Sequence, residues 1–574
     1  MNRWFGPGLF LLVGLALALR LPQLDRRPMH NDEGVNAIRF RSLWVNHAYR
    51  YDPNEFHGPT LEYFTVPSAW VSGSKDFNQF TETTFRRVTV SFGVGLILLL
   101  YLLADGLGKV ETLWAAAFTA ISPAMVFYSR YYIHEMLLVF FTALTLGACW
   151  RYVQGKSTGW CLLAGLGLGL MFASKETFIF AALSMVMAVA CAAAWSRWLD
   201  GESLAVKSYL NVKHVSAALT VLLLVWMILF SSFFTHFGGL IDSLKTFWIW
   251  AHRAAGDSPH VHPWYFYFRR LLFFHHKNGP VWSEALIVAL AMVGCVAAFT
   301  RRWLGQTNLL LVRTMAFFTG GLMLIYTVLS YKTPWCLLGF LHGMILLAGV
   351  GAAVLLRARR TRWLKWTSGI LLVVATLRLG WLTYPYSLSS REHYYFYGIL
   401  LIVGGGIVTL LLSRTARQFN WTTGALLMVA SAQLGWQACR ASFPYCASPG
   451  NPYVYAQTSP DILKLVDKIE ALARVSPDGH DLVVKVMSDH DSYWPLPWYL
   501  RRFTRVGYWN NIPPDPLAPI MIVSSEFQAA FDDRPEKSHL MAGYFQLRPQ
   551  VFFELYVEVN LWREYVKSLP PEKD

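Results

Sequence analysis

The sequence predicts a mostly α-helical, polytopic membrane protein of about thirteen spans with a small α/β domain at its C-terminal end. Three observations predict this class. Of 574 residues, 55% are hydrophobic and only 15% are charged, whereas soluble domains carry roughly a quarter charged residues. Apolar runs of about 17–25 residues, the length a bilayer requires, recur along the first 440 residues. Beyond the Pro/Gly-rich linker Ser448-Pro-Gly-Asn-Pro452 the runs give way to short strands and an amphipathic helix. These features exclude a disordered chain, a coiled coil, a disulfide scaffold and a soluble globular enzyme.

The thirteen spans are expected near 4–21, 87–105, 110–127, 133–153, 159–173, 177–196, 215–235, 281–300, 309–330, 335–356, 364–384, 395–413 and 420–440. The fifth is short, as spans that stop at a functional cavity often are. The first ends at Arg20-Leu-Pro, which offers no small-residue cleavage site, and reads as an anchor. Sixteen Lys/Arg fall in the short loops of one side, from Lys109 to Arg417, against four in the short loops opposite and five more in the loop 236–280. Positive charge marks the cytoplasmic face, so the N-terminus is expected inside and the C-terminal domain outside, in the inner or plasma membrane. The net charge of +15 divides unevenly, because residues 441–574 hold thirteen Lys/Arg against seventeen Asp/Glu. Basic inner loops facing anionic lipid account for the rest, and nucleic acid is not needed as a partner.

Two domains follow: a membrane module over 1–440, with external loops at 22–86 and 236–280, and an extracytoplasmic α/β domain over 441–574. In the latter, a helix is expected from Asp461 to Arg474, with Ser459 or a neighbour as cap and Pro460 in its first turn. Strands are expected at Asp481–Ser488 and Pro519–Ser525, with one or two more in Phe545–Glu558. The segment Trp494-Pro-Leu-Pro-Trp-Tyr-Leu-Arg501 reads as a loop on the membrane surface, or as an acceptor or lipid contact. The seven cysteines include no CxxC, which argues against a thiolate metal site. A disulfide between Cys439 and Cys446 stays open.

Polar groups gather at the outer ends of the spans. Asp32 and Glu33 lie side by side in His30-Asn-Asp-Glu-Gly34. Asn31 or Asp32 could equally cap a helix whose apolar face is Val35, Ile38 and Trp44. His57 and Glu62 stand in His57-Gly-Pro-Thr-Leu-Glu62. Arg86 and Arg87 open the second span, where arginines either snorkel or clamp a phosphate. Ser129-Arg-Tyr-Tyr-Ile-His-Glu135 places Arg130, Tyr131 and Glu135 at the start of the fourth span, with Arg130 the expected partner of Glu135. Lys175-Glu176 and Lys332 repeat the pattern. Each lone cation at a span end is weak evidence, but the expected topology puts all of them on one face. His260-x-His262 could hold a divalent metal on an extended loop, though no paired carboxylate accompanies it. No cofactor is otherwise implied.

At this point the chain resembles the GT-C membrane glycosyltransferases, in the branch of protein mannosyltransferases and aminoarabinose transferases. Asp32-Glu33 sits in the first external loop. Phe85-Arg-Arg-Val-Thr-Val-Ser-Phe-Gly93 is similar to that branch's Phe-Arg-x-x-x-x-x-Phe-Gly. Arg130 and Glu135 resemble its Arg-x-x-x-x-Glu, and Ser174-Lys-Glu176 follows a short fifth span. The likeness covers residues 1–235 well and the remainder by architecture. One departure stands out: His57-Gly-Pro-Thr60 replaces the branch's Lys-Pro-Pro-Leu. Asn451-Pro-Tyr-Val-Tyr-Ala-Gln457, Lys332-Thr-Pro-Trp335 and Trp494–Leu500 further resemble a bacterial and archaeal family labelled flippase-activity-associated.

The resemblance implies transfer, with inversion, of a sugar from a polyprenyl-phosphate donor to a lipid, glycan or protein hydroxyl at the outer face. Asp32 would be the base and Glu33 would orient the acceptor or hold the loop. Arg86, Arg130, Lys175, Lys332 and His57 would contact the donor phosphate. Glu135, Glu62, Glu176 and Tyr131 would position substrate. A lipid-linked-sugar flippase and a non-catalytic partner of another glycosyltransferase are the alternatives. A flippase path needs charge through the membrane, and here the mid-membrane positions are apolar.

Overall fold

The computed structural model describes residues 4–55, 57–201, 211–255, 260–276, 279–357 and 416–570. The spans expected at 364–384 and 395–413 lie outside these residues. The chain forms two compact units, one from Met1–Gln23, Tyr49–Phe64 and Arg86–Tyr453, the other from Leu24–Ala48, Thr65–Phe85 and Val454–Asp574.

Each of the other expected spans coincides with helix. The helices in question are α1 (Phe5–Arg20), α4 (Glu82–Leu99), α5 (Lys109–Ile121), α6 (Pro123–Ser129), α7 (Glu135–Gly155), α8 (Thr158–Phe172), α9 (Phe178–Asp200), α10 (Val212–Phe230), α13 (Ala285–Thr300), α14 (Leu309–Val328), α15 (Leu338–Arg357) and α16 (Ala416–Ser442). Among the described residues six helices are long and apolar enough to cross a membrane, or seven if the pair α5 and α6 counts as one span. Helices α1, α8 and α13 are apolar but shorter. The 59° bend between α5 and α6 has a local cause. Ser122 precedes Pro123, proline pushes its neighbour out of helical geometry, and the Ser122 hydroxyl accepts from the Met125 N–H at 3.3 Å to start the next helix. The loop 236–280 is itself helical in two pieces, α11 (Gly238–Ala255) and α12 (Phe266–Leu272). Cys439 and Cys446 are free thiols.

One buried carboxylate ties this unit together. Glu284, fully buried ahead of α13, accepts from Ser122 Oγ at 2.5 Å, Ala124 N at 3.0 Å and Tyr453 Oη at 2.7 Å. The Tyr453 carbonyl accepts from Tyr128 Oη at 2.9 Å, and Asn451 Nδ2 donates to the carbonyls of Ala441 and Tyr445. The Asn451-Pro-Tyr453 run is therefore a buried clasp for the end of the first unit.

The second unit is built on a five-stranded sheet of β1 (Val484–Met487), β2 (Val506–Trp509), β3 (Ile520–Ser524), β4 (His539–Arg548) and β5 (Val551–Glu558). Its order is β2-β1-β3-β5-β4, with β1 parallel to β2 and β3 and with β5 antiparallel to β3 and β4. Strand β3 is buried throughout, as its unbroken apolar run demands. Helix α17 (Asp461–Val475) buries Ile462, Leu465, Ile469 and Leu472, one face at helical spacing. The expected helix and strands are present. Strand β2 was not expected, because its four residues are only half buried and carry no alternation.

The remainder of the unit comes from the loop after α1: α2 (Asn31–Asn46), the C-terminal part of α3 (Thr60–Val71) and residues 77–85. The fully buried positions of α2 are Glu33, Gly34, Asn36, Ala37, Arg39 and Phe40. Val35, Ile38 and Trp44, the expected apolar face, are half buried. The Pro-rich segment 494–501 is taken up within this unit. Trp498 Nε1 donates to Glu82 Oε1 at 2.9 Å, Arg501 to the Phe80 carbonyl at 2.6 Å, and Met29 N to Tyr499 Oη at 2.8 Å. Gly34 permits the approach, since a Cβ there would lie 2.6 Å from Pro495 Cβ.

Glu284→Ala strands three buried donors, each costing about 1–3 kcal/mol when unpaired. Its melting temperature in detergent should fall by several degrees and Glu284→Gln should fall less. Melting of the alanine variant at the wild-type temperature would show that the clasp carries no stability.

Candidate active site

In the first unit the chemistry gathers where the turn before α3 meets the turn between α8 and α9. Gly58 N donates to the Ser174 carbonyl at 3.1 Å, Thr60 N to the Ala173 carbonyl at 3.1 Å, and Thr60 Oγ1 to Ser174 Oγ at 2.9 Å. A Cβ on residue 58 would stand 2.0 Å from the Ala173 oxygen, so glycine is required. Pro59 has no N–H to lose and sets φ for the helix start at Thr60. This docking brings His57 to Glu176, its Nδ1 being 2.9 Å from Glu176 Oε2.

The His57 ring is held on two sides. Trp250 of α11 stacks on it at 4.9 Å and His134 meets it edge-on at 5.3 Å. His134 Nε2 donates to the Gly58 carbonyl at 3.0 Å, locking loop and ring together. Burial alone would raise the Glu176 carboxyl, but His57 and then Lys175 outweigh it and hold it below the usual carboxylate range.

Glu135 pairs with Lys175 and not with Arg130, its expected partner. Both members are buried. Burial would lower the Lys175 ammonium, yet the Glu135 carboxylate overrides it and keeps the group charged above its ordinary range. Arg130 is five residues from Glu135 and turned elsewhere. It donates to the carbonyls of Arg20 at 2.8 Å, Pro22 at 2.7 Å and Gln23 at 2.9 Å, and it lies over the Phe443 ring at 4.6 Å.

The other expected residues of this unit are also buried. Arg86 on α4 is 1% exposed and Glu62 in the first turn of α3 is likewise buried. Tyr131 packs among Phe127, Tyr128 and Trp335. Lys332 donates to the Leu329 carbonyl, and burial pushes its ammonium below the ordinary value. A cavity is lined by Glu135, Thr142, Thr177, Tyr326, Trp335 and Cys336.

His260 and His262 lie on a short extended stretch paired with Tyr331 and Lys332, through His262 N to the Ser330 carbonyl and Lys332 N to the His260 carbonyl. Their rings pack on Tyr331 at 4.9 Å and Phe266 at 4.2 Å. Burial, then Arg270, His260 and Lys332, lowers His262 to about 4. Among the described residues no three His, Cys, Asp or Glu side chains converge as a metal would require.

In the second unit the acidic pair heads α2, and its members have different environments. Glu33 is fully buried, its oxygens 3.0 and 3.1 Å from Arg27 Nη2, and it accepts from His30 N at 2.9 Å. His30, not Asn31 or Asp32, is the N-cap: its Nδ1 accepts from Asp32 N at 3.1 Å, completing a capping box with Glu33. Its Nε2 lies 3.0 Å from the Tyr455 carbonyl. Those two partners require the neutral ring protonated on Nε2. Burial lowers the His30 ionisation below its ordinary value, against the opposing pull of Asp32 and Glu33. Asp32 is left with a side chain 43% exposed.

The sequence reading missed Arg548, at the end of β4. It donates to the Ser492 carbonyl at 3.0 Å, and burial lowers its ionisation while the Asp32 charge acts against that. No signal in a strand-end arginine could have shown this. The His30 cap was visible as a polar residue three before a glutamate, with histidine in the place usually held by Ser or Thr.

Residues 59–241 match the family model described as Dolichyl-phosphate-mannose-protein mannosyltransferase. Among solved structures, the chain is similar to ArnT from Cupriavidus metallidurans bound to undecaprenyl phosphate, with 15% identity, 96% of this chain and 98% of that chain covered, and a TM-score of 0.59. The fold of this chain is therefore shared with ArnT along nearly its whole length, while the family-model match is confined to residues 59–241. The apo state of the same ArnT matches at 13% identity over 95% of this chain and 97% of that one, also with a TM-score of 0.59. The apo oligosaccharyltransferase of Archaeoglobus fulgidus matches at 13% identity and a TM-score of 0.50, over 90% of this chain and 65% of that one. At such identities these likenesses are of fold. No protein of curated function matches this chain significantly.

Two outcomes follow for this site. Gly58→Ala forces the loop off the Ala173 carbonyl, an overpacking cost of about 1–3 kcal/mol. A lowered melting temperature is expected, and unchanged melting would show that the loop is not docked. For His30, whose ionisation is depressed in the fold, stability is complete above its ordinary value of about 6.5 and is lost as pH falls below it, because only the unfolded chain then takes up the proton. The melting temperature should drop between pH 7 and pH 5, and His30→Asn, which keeps a capping acceptor, should flatten that dependence.

Proposed function

We propose that this enzyme moves a sugar from a polyprenyl-phosphate donor to a hydroxyl of a lipid, glycan or protein acceptor at the outer face of the cell membrane, inverting the anomeric carbon. The reading places the N-terminus in the cytoplasm and the 441–574 domain outside. The observation that carries it is the set of buried charged groups at the ends of apolar helices: Arg86, Lys175, Lys332, Glu135 and Glu176 are each less than 9% exposed. Charges in such surroundings are costly and are retained for a function that needs them. The family-model match, named for a lipid-phosphate sugar donor, supports the same chemistry.

Transfer needs a base for the acceptor hydroxyl and cations for the departing phosphate. Asp32 serves as the base, since its carboxylate is accessible while Glu33 is consumed by Arg27 and His30. Glu33 thus holds the loop that presents Asp32. Arg86, Lys175 and Lys332 supply positive charge to the phosphate. Glu135 fixes the Lys175 ammonium, while Glu62 and Tyr131 shape the surroundings. Arg130, held by three carbonyls, positions the chain between Arg20 and Gln23.

The test is release of polyprenyl phosphate from a panel of polyprenyl-phosphate sugars in the presence of membrane extract. Asp32→Asn should lose about 10²–10⁴-fold in rate, the range a general base contributes, with donor binding retained. Full activity in Asp32→Asn would remove the base. No release from any donor, together with lipid scrambling in liposomes, would replace the transferase by a flippase.

A further inference from the structure

His57 presents an arrangement that phosphate contact alone does not explain. Its Nδ1 is committed to Glu176 at 2.9 Å, and Nε2 has no hydrogen-bond partner among the described residues. The side chain is 24% exposed while that of Glu176 is 7% exposed. The ring cannot swing freely, being stacked on Trp250 and edged by His134. A buried carboxylate behind one ring nitrogen, a fixed ring and an open second nitrogen are the parts of a proton-transfer dyad. The carboxylate orients the ring and aims the open N–H.

We infer that His57 and Glu176 form a proton-donating dyad that protonates the leaving phosphate. The inference rests on the proposed transfer reaction. The bond from the anomeric carbon to the phosphate oxygen breaks, and its electron pair goes to that phosphate. The acceptor oxygen forms the new bond to the anomeric carbon and gives its proton to the base. The imidazolium Nε2–H passes its proton to the phosphate, which departs as a monoanionic polyprenyl phosphate. His57 is left neutral, still donating Nδ1–H to Glu176, and solvent restores its proton. The permanent cation of the turn cannot take this role. Lys175 is spent on Glu135 and is held protonated by it.

The groups that face His57 are known. Glu176 and Lys175 come from the turn before α9, His134 and Glu135 from the start of α7, and Trp250 from α11 carries no charge. The neighbouring charges other than Lys175 and a protonated His134 are the carboxylates Glu176 and Glu135.

The experiment is a pH–rate profile for polyprenyl phosphate release by the full chain. The dyad works while His57 is protonated, so the wild-type rate should fall tenfold per pH unit once pH rises through its ionisation. Glu176→Gln should move that fall to lower pH. His57→Gln should lose about 10²-fold or more, by the usual contribution of a general acid. His57→Lys should recover most of the rate and move the fall to higher pH, which a merely structural histidine would not do. The inference is overturned if His57→Lys keeps the wild-type profile, or if His57→Gln keeps the wild-type rate. Asp32→Asn runs alongside: dependence on Asp32 with indifference at His57 removes the dyad and leaves the transferase, whereas no release by wild type removes both.

Discussion

The arrangement of the first unit depends on one backbone approach, that of Gly58 to the carbonyl of Ala173. Three hydrogen bonds join residues 58–60 to residues 173–174, and they form only because residue 58 has no Cβ. The loop is thereby fixed on the turn that carries Lys175 and Glu176. His57 reaches Glu176, His134 reaches the Gly58 carbonyl, and Lys175 stays beside Glu135. A side chain at 58 would move all of these together.

Burial then dictates how the charges are used. A lone charge in an apolar bundle is expensive, so each is matched by a partner of suitable geometry. Lys175 takes Glu135, Glu176 takes His57, and Arg130 takes three carbonyls. The second unit follows the same rule, since Glu33 takes Arg27 and the His30 N–H. Asp32, next to it in sequence, is the carboxylate left accessible. Adjacent residues on a helix point about 100° apart, so Glu33 turns inward to Arg27 while Asp32 stays accessible.

Much of this was legible in the residues. Apolar runs of bilayer length located the helices, because hydrocarbon tolerates backbone only when its hydrogen bonds are made internally. The change of pattern after Pro452 announced the sheet. The grouping of Lys175, Glu176 and Glu135 at span ends was visible as well. Partners were harder to read. Arg130 and Glu135 are close in sequence and similar in character to an ion pair, yet the helix start between them turns the guanidinium toward Gln23. Asn31 and Asp32 are of the types that usually cap a helix, whereas histidine fills the role here.

The sequence by itself determined the class of the protein, the position of its helices along the chain and which residues could carry charge at their ends. These follow from composition and local periodicity, which need no knowledge of distant neighbours. Only the tertiary structure decided which carboxylate meets which cation, that residues 494–501 pack with first-loop residues, and that Arg548 feels Asp32. Apart from the local Arg27–Glu33 pair, those pairings join residues forty or more positions apart, and no local propensity encodes a contact of that separation.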